Sequence, residues 1–229
     1  MNNRPFSVVV PVYNEEKILI KNSEKLISYL DQLDTPYEIF IGSNGSTDNT
    51  DKLGIQLSKK YPQIKFFTFK NKGVGRVFKK AVKDANYETI ITLDVDLPTS
   101  FDFIPNSLNL IKSCDIVLGS KKKKQERAAY RKIFSAGFAF LVKLLLNLNF
   151  SDYAPNTKTY RKSAISEHLH KIDNGTIYVL QLLHFANKKN KKIEEIPVTC
   201  VDTRKSKFNL FKEIKHKFVN LLSIWWRHG

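Results

Sequence analysis

Cysteine is nearly absent: Cys114 and Cys200 are the only two in 229 residues. That excludes a disulfide scaffold and any four-cysteine zinc site, and both are expected to be buried, reduced thiols of a cytosolic protein. The five histidines form no metal-ligand spacing; His168 and His170, two apart, are expected on the surface. No uninterrupted apolar run reaches the roughly 18 residues a membrane-spanning helix needs. The nearest, 133–150, is broken by Lys143, Asn147 and Asn149, and a lysine at a bilayer centre is costly. There is no Pro/Ser-rich linker and no internal repeat. Met1-Asn2-Asn3-Arg4-Pro5 leads straight into a strand-like run, so no signal peptide is expected at the start of this sequence.

Acidic side chains are scarce in one part of the chain only. Residues 1–100 carry 14 basic and 12 acidic side chains, whereas residues 101–229 carry 24 and 10, so almost all of the +16 net charge lies in the second part. A basic region of this kind seeks anions: nucleic acid, an anionic membrane surface or phosphorylated substrates. No recognised nucleic-acid-binding motif accompanies it, and the acidic Asp94/Asp96 loop argues against that partner. With 42% apolar residues the chain has ample material for a core.

The hydrophobic pattern alternates between strand and helix. Strands are expected at 6–10, ended by Pro11, and at 37–42, 64–69, 88–93, 115–118 and 193–199. Helices are expected at 15–33, from about 50 to Lys60, and at 75–85, 101–112, 133–150, 176–187 and 208–226. This repetition predicts an α/β fold with a mostly parallel sheet flanked by helices. Ligands in such sheets bind at the carboxyl ends of strands, here loops 11–16, 43–48, 71–76, 94–98 and 119–124.

Three of these loops carry chemistry. Asp94-Val95-Asp96 ends a buried strand; in a loop both carboxylates can turn toward one divalent cation, which takes oxygen ligands. Aspartates also end strands without any function. Pro11-Val12-Tyr13-Asn14-Glu15-Glu16 either stops a strand and caps a helix, or sets Tyr13 beside a planar base with Glu15 accepting hydrogen bonds from a ribose or base edge. Ser43-Asn44-Gly45-Ser46-Thr47-Asp48 caps a helix and lies beside the first loop if the first two strands pair.

Together SVVVPVYNEE (7–16), SNGSTDNT (43–50) and LDVDLPTS (93–100) resemble the inverting family 2 glycosyltransferases of GT-A fold, most closely the dolichol-phosphate mannose synthases and glucosyltransferases. The likeness is strong over 6–100 and looser beyond. Asn71-Lys72-Gly73-Val74-Gly75-Arg76 resembles the family's glycine-rich loop, and Gly119-Ser120-Lys121 its Gly-Ser-Arg. The resemblance implies a nucleotide site lined by Pro11, Tyr13, Glu15, Asn44, Asp94, Val95 and Asp96. It implies Mg²⁺ or Mn²⁺ at Asp94 and Asp96, with Asp96 and Arg131 as catalytic residues. Lys121, Arg131, Arg204 and Lys207 would grip donor and acceptor phosphates. Residues 1–203 would form the glycosyltransferase domain, with 1–120 its nucleotide-sugar half and 121–203 its acceptor half. Phe211, Ile214, Phe218, Leu221, Leu222 and Trp225 recur at three- and four-residue steps. Residues 204–229 are therefore expected to form a basic amphipathic helix. It either packs its apolar face on the domain or lies on the cytosolic face of a membrane or against a membrane-anchored partner.

The departures from the family pattern are specific. Ser43-Asn44 stands where Asp-Asp is usual, Pro98 where mannose synthases have a glutamine metal ligand, Pro155-Asn156-Thr157 where Ser-Gly-Phe is usual, and Gln181 where glutamate is common. Asn44 offers one acceptor and one donor, which suits uracil better than guanine. A phosphate acceptor needs no strong general base because it is already an oxyanion; a sugar hydroxyl would need one, with Asp152 the candidate. The expected reaction transfers a sugar from a nucleotide diphosphate sugar to a polyprenyl phosphate. The alternatives are transfer to a saccharide acceptor and a nucleotide-sugar-binding relative with weakened catalysis.

Overall fold

The computed structural model describes residues 4–96, 100–121, 129–150, 153, 157–199 and 218–226. Strands β1 (Phe6–Val12), β2 (Tyr37–Asn44), β3 (Ile64–Phe69), β4 (Thr89–Thr92), β5 (Ile116–Lys121), β6 (Lys158–Arg161) and β7 (Ile193–Val198) form one sheet in the order β3-β2-β1-β4-β6-β5-β7. The pairs β1–β2, β2–β3, β1–β4 and β5–β7 are parallel. Strand β6 runs antiparallel to both neighbours, β4 and β5, so the carboxyl ends of the other six strands lie along one edge. The expected mostly parallel α/β sheet is present, but β6 is a strand the sequence pattern did not announce. It is four residues long and carries Lys158, which is fully buried.

The helices are α1 (Leu19–Asp31), α2 (Thr50–Lys60), α3 (Val74–Asp84), α4 (Phe103–Leu110), α5 (Ala129–Leu146), α6 (Lys162–Ile165), α7 (Tyr178–Lys188) and α8 (218–226), with a 3₁₀ turn at Ser166–His168. Strand alternation sorts the core. Val8, Val10, Ile39, Ile41, Ile91 and Val117 pack against α1, α2 and α4 on one face. Val9, Ile90, Leu118 and Tyr160 pack against α3, α5, α7 and α8 on the other. Central strands buried on both faces read as continuous apolar runs, which is why FSVVVPV was legible as a strand.

Several boundaries move for identifiable reasons. Pro11 does not end β1, which continues to Val12 and pairs Pro11 with Gly42. The Val9 carbonyl faces β4 and accepts from the Leu93 amide. Pro11, two residues on, faces the same side beyond the last β1–β4 pair, Val9–Thr92, so its missing N–H breaks no ladder bond. Helix α1 begins at Leu19 after a turn in which the Ile18 and Leu19 amides both donate to the Glu15 carbonyl. Helix α5 stops at Leu146 because Asn147 adopts φ +53, a left-handed C-terminal cap that asparagine tolerates, with its amide bonded to the Lys143 carbonyl. His168 is buried against Phe185, ring centroids 4.8 Å apart, correcting the surface expectation; burial lowers its pKa. Cys114 is a buried free thiol, and Cys200 lies outside the described residues.

At the opposite edge of the sheet, the nearly inaccessible Glu38 accepts hydrogen bonds from Ser7 Oγ (2.6 Å), Lys65 Nζ (2.7 Å), and Asn86 N and Nδ2 (2.7 and 3.0 Å). Burial alone would raise its pKa, but these donors outweigh that and hold it below the ordinary glutamate range. A depressed folded-state pKa contributes stability that is present above the unfolded value and lost as pH falls through the folded one. Urea unfolding from neutral pH down to about 3 is therefore expected to show an acid loss of stability that is reduced in Glu38→Gln.

Candidate functional site

The loops after β1, β2 and β4 meet at the carboxyl edge of the sheet, where β1 lies between β2 and β4. The first two are laced together by side chains. Asn14, at φ +53, accepts from the Thr47 amide (2.8 Å), and its own amide donates to Ser46 Oγ (3.1 Å). The Glu15 amide donates to Thr50 Oγ1 (2.8 Å), and Glu16 accepts from the Asn49 amide and Nδ2 (3.0 and 2.9 Å). The expectation that 43–48 lies beside 11–16 is met. The residues that lead into α2 thus also fix the chain that presents Tyr13 and Glu15.

The glycine-rich loop 71–76 closes on the same place. Gly45 sits at φ +74, and a Cβ there would lie 3.1 Å from both Lys70 O and Lys72 N, so the turn after β2 packs directly on this loop. Asn44 Oδ1 accepts from the Gly73 amide. One of the two acceptor sites of the Asn44 oxygen is thus used within the protein. Lys72 Nζ lies 4.0 Å from the Tyr13 ring centroid, a contact spanning 59 residues of sequence that no local pattern signals.

The other side of loop 71–76 is pinned by 172–175. The Gly75 amide donates to Gly175 O (3.1 Å) and Arg76 N to Asn174 O (3.2 Å), with a Gly75 Cβ position only 2.4 Å from Asp173 O. Gln181 Oε1 accepts from the Asp173 amide (2.6 Å). Gln181, singled out because glutamate is common there, is a fastener of this loop.

Asp94 and Asp96 follow β4 and are both half-buried, while Val95 between them turns into the core. The Val95 carbonyl accepts from Asn22 Nδ2 (2.9 Å), tying the acidic loop to α1. Leu93 and Val95 belong to the α1/α4 face, so alternation places Asp94 toward the other face. There Tyr178 is buried and its pKa is pushed well up, first by burial, then by Tyr160 and by the Asp94 charge. Among the described residues no cluster of three or more His, Cys, Asp or Glu side chains could hold a metal. Two carboxylates on one loop nevertheless fit a hard cation that completes its shell with substrate phosphate oxygens and water, as Mg²⁺ and similar ions do.

The positively charged half is placed only in part. Lys121 is the last residue of β5, on the same edge, and Arg131 lies in the first turn of α5. Pro98, Asp152, Pro155, Asn156, Arg204 and Lys207 lie outside the described residues. Thr157 is buried, its amide donating to Thr92 O (2.8 Å) and its carbonyl accepting from Gly119 N (2.9 Å). Lys158, which the sequence pattern did not single out, pairs with Thr92 on the face toward which Asp94 falls.

A sheet of this order, with nucleotide-type loops and a paired-aspartate turn at its carboxyl edge, defines the GT-A class of α/β fold. The chain belongs to glycosyl transferase family 2, whose family model matches residues 7–169. It is 24% identical over 220 residues to the undecaprenyl-phosphate 4-deoxy-4-formamido-L-arabinose transferase of Pectobacterium carotovorum, covering 95% of this chain but 64% of that protein. A similar transferase of Proteus mirabilis shows the same identity and coverage. The chain thus spans about two-thirds of the length of these relatives. Among solved structures it resembles glucosyl-3-phosphoglycerate synthase from Mycobacterium tuberculosis in complex with Mn²⁺, UDP and phosphoglyceric acid (TM-score 0.72, 14% identity, 99% of this chain and 80% of that one). It also resembles residues 1–349 of TarS from S. aureus (TM-score 0.61, 18% identity, 96% and 64%).

Proposed function

We propose that this protein transfers a sugar from a nucleoside diphosphate sugar, with uridine the preferred nucleoside, to a polyprenyl phosphate at the cytosolic face of a membrane. The observation that carries the proposal is the convergence of Tyr13, Glu15, Asn44, Asp94 and Asp96 on one sheet edge, with Lys121 ending a strand on that edge. Tyr13 and Asn44 bind the base, Pro11 and Val95 shape the floor, and Glu15 accepts from the ribose or base edge. A divalent cation, Mg²⁺ or Mn²⁺, held by Asp94 and Asp96 would offset the charge of the diphosphate leaving group. Lys121, Arg131, Arg204 and Lys207 hold phosphates, Arg131 orienting the acceptor through its fork of donors.

The acceptor phosphate is an anion at neutral pH and needs no proton removed. One of its oxygens attacks the anomeric carbon, forming a carbon–oxygen bond. The bond from that carbon to the diphosphate oxygen breaks, and the nucleoside diphosphate leaves with the electron pair, so the anomeric configuration inverts.

The lipid nature of the acceptor is supported by an exposed apolar surface on α5 and α8. Phe140 and Leu144 on α5, and Val219, Leu222, Trp225 and Trp226 on α8, are all exposed. Leu221 and Ile224 of α8 are buried against the core, and Phe218 meets Phe138 edge-on at 5.9 Å. Helix α8 therefore packs one face on the domain and keeps apolar side chains outward, as an interfacial helix does. No helix among the described residues is long and apolar enough to cross a membrane. Two named relatives act on undecaprenyl phosphate, and the narrower likeness to dolichol-phosphate mannose synthases points to the same acceptor chemistry.

The test is incubation with a panel of UDP- and GDP-sugars, Mn²⁺ and vesicles containing undecaprenyl or dolichyl phosphate, read by mass spectrometry. A lipid-linked monophosphate sugar is expected. Glycosylation of added saccharides instead would replace this acceptor assignment, and absence of any transfer or donor hydrolysis would remove the enzymatic reading.

A further inference from the structure

Lys158 is a charged side chain with no solvent exposure at all. It opens β6, where its cross-strand neighbours are Thr92 at the end of β4 and Leu118 on β5. Residues directly opposed across strands share a face of the sheet. Leu118 belongs to the α3/α5/α7 face, as does Tyr160, two residues on from Lys158. Lys158 therefore lies on that face, at the carboxyl edge of β4. An ammonium withdrawn from water is costly unless an anion compensates it. The carboxylate that the register brings to this end of the face is Asp94, two residues beyond Thr92 and placed there by alternation with Leu93 and Val95. Two residues of extended chain span roughly 7 Å, a separation over which charges in a partly buried setting still act strongly. Tyr178, on the same face, senses both Tyr160 and the Asp94 charge, which sets Asp94 over the ground that Lys158 occupies.

We propose that Lys158 is the built-in counter-cation of the acidic loop, offsetting the Asp94 charge from inside the core before a divalent ion arrives. This rests on the reading of Asp94 as a cation ligand. Two carboxylates one residue apart repel each other, and a fixed positive charge behind one of them relieves that repulsion. The same charge opposes a divalent ion that comes alone. A cation that comes with a diphosphate brings its own negative partner and is opposed less. Lys158 is thus a positioning residue that acts through Asp94 and ties entry of the cation to entry of the donor.

Thermal unfolding of the metal-free protein tests the coupling, using Lys158→Met, Asp94→Asn and the double variant. Each single change leaves one buried or half-buried charge uncompensated and is expected to lower the melting temperature. The double variant is expected to melt above Lys158→Met, because removing both charges costs less than stranding one. Strictly additive losses would overturn the proposal and leave Lys158 a filler of the sheet. Should Lys158→Met fail to fold, a folded double variant supports the coupling, and a double variant that also fails to fold refutes it. Calorimetric titration with Mn²⁺ alone gives the second reading. Lys158→Met is expected to bind Mn²⁺ about ten-fold more tightly than the wild type, since a like charge has been removed from beside the site. Equal or weaker binding would remove the counter-cation role. If neither protein binds Mn²⁺, with or without UDP, the cation site itself fails, and the inference that rests on it falls whatever the melting curves show.

Discussion

Asp96→Ala is expected to lower sugar transfer by about a thousand-fold or more, with little change in thermal stability. In the proposed reaction the site gathers two anions, the donor diphosphate and the acceptor phosphate, and charge moves onto the leaving diphosphate. If Asp96 holds the proposed cation, its removal would forfeit several kcal/mol of transition-state stabilisation, and each ~1.4 kcal/mol is ten-fold in rate. The fold should survive because the loop is held by other groups. Val95 is buried, its carbonyl is bonded to Asn22, and Leu93 packs in the core. Asp96 itself is half-buried at the edge. Initial rates with saturating Mn²⁺ and donor, alongside a melting curve, check this. An Asp96→Ala protein that retains a tenth of the activity would remove Asp96 from the catalytic machinery. A severe loss of stability would show that its carboxylate serves the fold.

The parts of this molecule that were legible in the sequence are those specified by short-range patterns. Continuous apolar runs such as FSVVVPV and YEIFIG identify strands buried on both faces, and their alternation with helical periodicity gives the α/β layering. Turn chemistry marks the strand ends, so the loops holding Tyr13, Asn44 and Asp94 are legible from the sequence alone. What sequence periodicity does not show is which side chains meet across loops. Asn44 with Gly73, Gln181 with Asp173 and Lys72 with Tyr13 are contacts between segments with no shared pattern. Two of them change the meaning of a residue: Asn44 gives one of its acceptor sites to the protein, and Gln181 becomes a loop fastener. Strand β6 escaped for another reason. It is short, antiparallel and lysine-bearing, and its burial is dictated by the sheet on both sides of it. His168 likewise is buried by α7, whose Phe185 lies 17 residues further along the chain.

Phe78→Ala is expected to cost about 3–5 kcal/mol of stability, the range for removing a large buried aromatic, and to lower the melting temperature by roughly 6–20 °C for a chain of this size. Phe78 on α3 is almost fully buried between two other aromatics, stacked on Tyr178 at 4.7 Å and edge-on to Tyr160 at 5.4 Å. The three rings join α3, the N-terminus of α7 and the middle of β6. Tyr160 acts here through its ring, since its buried hydroxyl has no hydrogen-bond partner among the described residues. The cavity left by alanine would open beside Tyr178, which senses the Asp94 charge. It would also loosen the helix whose first turn carries Gly75 and its bonds to 174–175. Phe78→Leu, which refills most of the volume, is expected to lose markedly less. Urea unfolding should report both, with the slope of the transition unchanged if the effect is on the native core alone. Should alanine cost under about 1 kcal/mol, the face would be collapsing around the gap, and this aromatic trio would not be what holds α3 and α7 to the sheet.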